Sequence, residues 1–168
     1  YGPVYNDLKS PQGSLSPGEA LLMQDLYVGI LAMGEMDEER QALADRAAAF
    51  VGVGGEPDAS AVRPEELDTA IKYGAKLGGR DFYEAALNYA RASDNQSERR
   101  SILGNLVVHS AESEMADLIK EVQGSDWQGQ ETWSVLQNSL NNEANRDVAW
   151  GLYKASFDNV IARTPEIR

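Results

Sequence analysis

In one segment after another, apolar residues return every three or four positions, and no run of them alternates in the way a half-buried strand requires. Leu22, Leu26, Ile30 and Met33 set the pattern. Leu43, Ala47, Phe50 and Val51 follow, then Leu67, Ala70, Ile71, Gly74 and Leu77, then Phe82, Ala86 and Ala90. The second half continues with Ile102, Leu103, Leu106 and Val107, then Met115, Leu118, Ile119 and Val122, then Trp133, Leu136 and Leu140. A closing run presents Ala149, Leu152, Tyr153, Phe157, Val160 and Ile161, and Pro165 stops it. A chain written in this period folds as helices, each with one face to bury.

The breaks between runs are short. Ser16, Pro17 and Glu19 spell a capping box, and Ser93 with Gln96 and Ser125 with Gln128 read as two more. Gly78–Gly79 is a tight turn, and the glycine-rich stretch from Gly52 to Pro57 is a loop. Short connections make antiparallel hairpins. The expected fold is therefore all-α, with about eight helices in stacked antiparallel hairpins, a HEAT- or armadillo-like right-handed superhelix. Ile71, Ile102 and Trp133 fall 31 residues apart at similar inward places, close to the period of helical solenoids. Residues 1–16, rich in glycine, proline and serine, form an irregular entry segment, and residues 17–168 form the helical-repeat domain.

Composition narrows the chemistry. With 15 basic and 27 acidic residues the net charge is −12, which disfavours nucleic acid and anionic membrane as partners. The absence of cysteine removes disulfides, thiolate metal sites and a cysteine nucleophile. No apolar run approaches a membrane span, so a soluble protein is expected, cytoplasmic or periplasmic. The chain opens at Tyr1 without methionine, as a cut or processed chain would.

Candidate catalytic and binding residues fare poorly. His109 is the single histidine, so a zinc helix of the His-Glu-x-x-His kind cannot be built, and no nucleophile elbow accompanies the nearby Ser110 or Ser113. The expected role of His109 is a favourable cation at a helix C-terminus. Gly52–Glu56 lacks the Gly-Lys-Ser/Thr ending of a phosphate loop, and Glu35, Asp37, Glu38 and Glu39 lack calcium-loop spacing. Asn95-Gln96-Ser97 fits a glycosylation sequon but is explained as part of a cap. Phe82, Tyr83, Trp133, Tyr153 and Phe157 read as core aromatics, while Trp150 falls off the inward stripe and faces either the preceding hairpin or another domain. No catalytic, cofactor-binding or metal-binding residue is assigned in this chain. Tyr73 to Ala92 also fits one tetratricopeptide unit, through Ala75, Gly78, Tyr83, Ala86 and Ala90, although such units stabilise one another only in arrays.

Taken in order, several short motifs form a series. Gly78-Gly79 precedes Phe82-Tyr83 and Tyr89, Glu98-Arg99-Arg100 precedes the Leu103 to Leu106 stretch, and Met115 to Ile119 precedes a turn holding Gln130. The series closes with Asn145-Arg146-Asp147-Val148-Ala149-Trp150 and Phe157-Asp158. From about Leu26 to Pro165 the chain resembles the C-terminal helical domain of aminopeptidase N-type zinc metallo-aminopeptidases. Asp147 after Arg146, and Phe157 in place of a frequent tryptophan, are mild departures. The resemblance implies the later part of a longer helical domain that curves over an active site and helps decide which peptides enter. It places zinc and the catalytic motifs in an upstream domain of the same polypeptide, so this chain alone is expected to be inactive and free of cofactor, with that domain and peptide substrates as partners. The alternative is a free-standing tetratricopeptide- or HEAT-like adaptor that binds a protein partner. A truncated stack would leave Leu21, Tyr27 or Leu31 in an exposed patch, because the first helix is apolar over more than one stripe.

Overall fold

A computed structural model describes residues 36–124 and 126–163, together with Gly18. The entry segment, the Ser16–Glu19 cap and the surroundings of Leu21, Tyr27 and Leu31 lie outside the described residues. Within them, seven α-helices and a single 3-10 turn make up the regular structure, and no strand occurs. They are α1 (Asp37–Val51), α2 (Leu67–Leu77), α3 (Gly79–Ala92), α4 (Gln96–His109), α5 (Glu112–Glu121), α6 (Gly129–Ser139) and α7 (Arg146–Arg163). The all-α expectation holds.

The chain divides into two compact units, Tyr1–Ala42 and Leu43–Arg168. In the first, the described residues open α1. Asp37, Glu38 and Glu39 place negative charge at its N-terminus, where the helix dipole favours it, and Arg40 pairs with Asp37 at 2.9 Å.

The second unit begins with the apolar half of α1, where Leu43, Ala44, Ala47, Phe50 and Val51 are buried. Gly52 ends the helix with φ +81, and a side chain there would meet the Pro57 nitrogen at 2.8 Å. The chain re-enters regular structure through a 3-10 turn at Pro64–Glu66, just before α2. Glu66 is buried and holds Arg46 at 3.0 Å and Arg63 at 2.5 Å. Burial raises the affinity of its carboxyl for a proton, but hydrogen bonds from the two guanidinium groups outweigh that and leave it more acidic than an ordinary glutamate.

Hairpin α2–α3 turns at Gly78–Gly79, as the sequence predicts, with Gly79 at φ +56. Gly74 of α2 lies against the ring of Phe82, and this contact lets the two helices approach closely. Beyond it, α4 packs on both α2 and α3, and α6 packs on both α4 and α5. Among the described helices, the broadest contacts are α2 with α4 and α4 with α6. α7 closes the described stack against α5 and α6. Helices α4 and α5 contribute the face their period predicts: Ile102, Leu103, Leu106 and Val107 from α4, and Met115, Leu118 and Ile119 from α5, are all buried, whereas Leu77, expected on the inward face of α2, is 51% exposed at the end of that helix.

Several details differ from the sequence reading. The cap of α4 is Asn95, not Ser93, and its side chain accepts from the backbone N–H of Ser97 and Glu98. Ser93 instead ends α3, where its hydroxyl accepts from the Asn95 N–H and donates to Glu98. The cap of α6 is Gln128, in a reciprocal box with Glu131 three residues later, so Gln128 opens a box, while Ser125 lies outside the described residues. The inward face of α6 is Glu131, Thr132, Val135, Leu136 and Ser139. Trp133 and Leu140 are only half-buried, and Phe157 is 41% exposed, so these expected core residues lie at the edge. The 31-residue spacing of Ile71, Ile102 and Trp133 therefore marks no equivalent positions. The faces that do correspond are Ala70, Ile71, Gly74 and Ala75, then Ile102, Leu103, Leu106 and Val107, then Glu131, Thr132, Val135 and Leu136. Their offsets are unequal because both the helices and the turns between them differ in length.

Candidate functional surface

The motif residues of the sequence act as clamps between helices. Arg99 of α4 and Glu131 of α6 form a two-pronged ion pair, Nε to Oε1 at 2.7 Å and Nη2 to Oε2 at 2.8 Å, with the carboxylate only 3% exposed. The same carboxylate takes the Gln128 N–H at 2.9 Å, so one side chain caps α6 and ties it to α4. The Arg99 guanidinium lies 5.1 Å from the centre of the Trp127 ring. Trp127 is 3% exposed and its indole N–H donates to Glu121, which pairs with Arg91 at 2.8 Å. The hydrogen bonds from Arg91 and then Trp127 outweigh the opposing effect of its slight burial and hold the Glu121 carboxyl below the ordinary range. Helices α3, α4, α5 and α6 are thereby joined through one chain of contacts. Sequence reasoning missed Trp127, because it sits in a connection outside any periodic run.

Glu98 gathers the Tyr89 hydroxyl, the Ser93 hydroxyl and the Asn95 amide at the α3–α4 turn. Arg100 donates to Gln130 at 3.2 Å, which places the glutamine of the resemblance beside the Glu-Arg-Arg segment. Asn142 is buried and donates to the carbonyls of Val107 and Ser110, two acceptors left open where α4 ends.

On the solvent side of the α2–α4–α6 layer, polar side chains run from helix to helix. Asp68 accepts from Ser101 at 2.5 Å and from Asn105 at 3.2 Å. Gly104 leaves room for Asn138, whose amide would sit 3.6 Å from a methyl at that position, and Asn138 donates to Ser134. The band is made of short, mostly neutral groups that can donate and accept.

His109 ends α4 and is half-buried. Burial first, and then the nearby Lys76 and Lys72, push its pKa down to about 4, so the ring is neutral near pH 7. It is therefore not the helix-terminal cation its position suggested. The Gly52–Pro57 loop, with left-handed Gly52 and Gly54, follows a helix and flanks a groove of about 640 Å3 against α3. Two polar groups at that groove, the hydroxyls of Tyr89 and Ser93, are taken by Glu98. Asn95 of the sequon is exposed and serves as the α4 cap. Among the described residues, no three His, Asp or Glu side chains converge as metal ligands, and no helix is long and apolar enough to cross a membrane.

Trp150, left open by the sequence, is 48% exposed on α7. Its ring stacks on Tyr153 at 5.6 Å, and Tyr153 in turn meets Phe157 at 5.9 Å and Trp133 of α6 at 6.2 Å. The expected core aromatics therefore divide: Phe82 and Tyr83 are buried, while the α6–α7 set forms an outer cluster.

No curated protein and no solved structure matches the chain. The family model described as ERAP1-like C-terminal domain matches residues 1–167, in agreement with the resemblance to the C-terminal helical domain of aminopeptidase N-type enzymes. The chain belongs to the ERAP1-like C-terminal domain family.

Proposed function

We propose that this chain is the non-catalytic C-terminal helical domain of a zinc-dependent aminopeptidase, which removes N-terminal residues from peptides, and that it closes the active-site chamber and controls peptide access. The observation that carries this reading is the family match over residues 1–167. The packing supports it. The helices on the inner side of an arc of hairpins are the more closely packed, and among the described helices α2, α4 and α6 make the broadest contacts. The face toward the chamber is then the band of Asp68, Ser101, Asn105, Ser134 and Asn138. Short, mostly neutral groups of this kind hydrogen-bond a passing peptide backbone and discriminate little among its side chains. Zinc belongs to the upstream catalytic domain, which is the first partner of this one.

The test is the enzyme itself. The full polypeptide that contains this chain, purified with its zinc, should release N-terminal residues from peptides and lose that activity to a chelator. A polypeptide with no zinc motif and no aminopeptidase activity would overturn the reading.

A further inference from the structure

The polar band of α2 and α4 ends in a basic cluster. Asp68, Lys72 and Lys76 fall four residues apart on α2, and Ser101, Asn105 and His109 fall four apart on α4, so each set lies along one stripe of its helix. Asp68 accepts from Ser101 and Asn105, which fixes the register at the start of α2. One turn further along both helices, Lys72 and then Lys76 come beside His109.

Lys72 is half-buried, with its ammonium 5.6 Å from the centre of the Tyr73 ring, and Lys76 is exposed. Apart from burial, the influences on the half-buried His109 ring are the charges of Lys76 and Lys72, and among the described residues no carboxylate offsets them there. Asp68, the acid on the stripe, lies a turn before Lys72 and is taken up by Ser101 and Asn105. The ring is neutral near pH 7, so it can donate a hydrogen bond without adding a third charge.

Two ammonium groups beside a ring N–H complement carboxylates. Lys72 and Lys76 stand about 6 Å apart along the axis of α2. Side chains on one face of an extended peptide recur about every 6.6–6.8 Å. Acids at alternate residues of an extended chain therefore match both lysines at once.

We propose that Lys72, Lys76 and His109 form a subsite for acidic peptides, which takes carboxylates from alternate residues of an extended chain. That the carboxylates arrive on a peptide rests on the peptide-access role proposed above. The neutral part of the band then meets peptide backbone, and this end of it selects side chains.

His109 is the single histidine of the chain, so its ring resonances in proton NMR report on the site unambiguously. The probe is acetyl-Gly-Asp-Gly-Asp-Gly-amide, which has no charged terminus. Its controls are the same peptide with asparagine for both aspartates, and that asparagine peptide with a free C-terminal carboxylate. Salt at about 0.15 M screens the distant net charge of −12 and leaves contact pairs in force. The aspartate peptide should shift the His109 resonances saturably and bind at least tenfold more tightly than either control. It should also move the ring's titration to higher pH, since bound carboxylates offset the two lysines. Lys72→Gln with Lys76→Gln should lose at least tenfold of the affinity, whereas Lys120→Gln, on α5, should lose none. Absence of binding, equal binding of either control, or binding that survives the double variant would overturn the proposal. The measurement needs neither zinc nor a catalytic domain. If the full polypeptide trims peptides but the aspartate peptide does not bind, the subsite falls and the access role stands. If the peptide binds but the full polypeptide trims nothing, the access role falls and the acidic-peptide site stands.

Discussion

Replacing Gly74 with alanine sets two known effects against each other at one position. In an open helix interior, glycine is less favourable than alanine by about 1 kcal/mol, so the change should stabilise. At Gly74 the space is already taken. A Cβ there overlaps the Phe82 ring, and even the farthest of its three nearest ring carbons lies at 2.9 Å. Phe82 is 1% exposed and cannot swing away as a surface side chain would. Overpacking costs about 1–3 kcal/mol, and overlap with a fully buried ring puts this case at the upper end, about 2–3 kcal/mol, so the net expectation is a loss of about 1–2 kcal/mol. In a domain of this size that lowers the melting temperature by about 2–8 °C. Two controls carry the opposite sign. Gly104 meets only the Asn138 amide at 3.6 Å, and Gly151 has nothing within 4 Å, so alanine at either should gain about 0.5–1 kcal/mol. Urea unfolding followed by far-UV circular dichroism measures all three. The double change Gly74→Ala, Phe82→Leu removes the overlapping ring atoms and should recover at least about 1 kcal/mol relative to the sum of the singles. If Gly74→Ala is as stable as the parent, or the double change shows no coupling, then close approach of α2 and α3 at this point does not hold the hairpin together.

Three further outcomes follow from the clamps. Arg99→Met leaves the Glu131 carboxylate buried without its partner and should cost about 3–5 kcal/mol in urea unfolding, whereas Arg100→Met, at an exposed site, should cost under about 1 kcal/mol. Asn142→Ala uncovers the carbonyls of Val107 and Ser110 and should lower stability by about 1–3 kcal/mol by the same assay. Because the folded state holds His109 near pKa 4, below its ordinary 6.5, the unfolded chain binds the extra proton between those values. Stability should therefore fall as pH drops from about 6.5 toward 4, and the fall between pH 7 and pH 5 should be smaller in His109→Gln.

The period of the apolar residues was enough to place helices, because one buried face repeats every turn. The glycine pair marked the turn at Gly78–Gly79, where Gly79 takes a left-handed conformation. Caps were harder. Ser93, Asn95, Ser125 and Gln128 are all capable of capping, and the choice between them depends on where the preceding helix stops. Trp133 and Phe157 were misjudged for a related reason. An aromatic residue at helical spacing is core only when another element covers it, and the described stack ends at α7. The Arg99–Glu131–Trp127 network was out of reach altogether, because its members come from two helices and a turn and the pairing depends on tertiary packing. The proposed function was legible only through the order of motifs, since composition, period and spacing point to no chemistry by themselves.

If this domain controls peptide access, the full polypeptide should respond to bulk placed on the α4–α6 band. Ser101→Arg with Asn138→Arg adds two long cations to half-exposed positions on that face. The measurement is kcat/KM across peptides of rising length, together with a single-residue chromogenic substrate. If the band faces the chamber, long peptides should lose at least tenfold while the single-residue substrate keeps its rate to within about twofold. Equal rates for all lengths, in a variant that still folds and holds zinc, would contradict a role for this domain in peptide access.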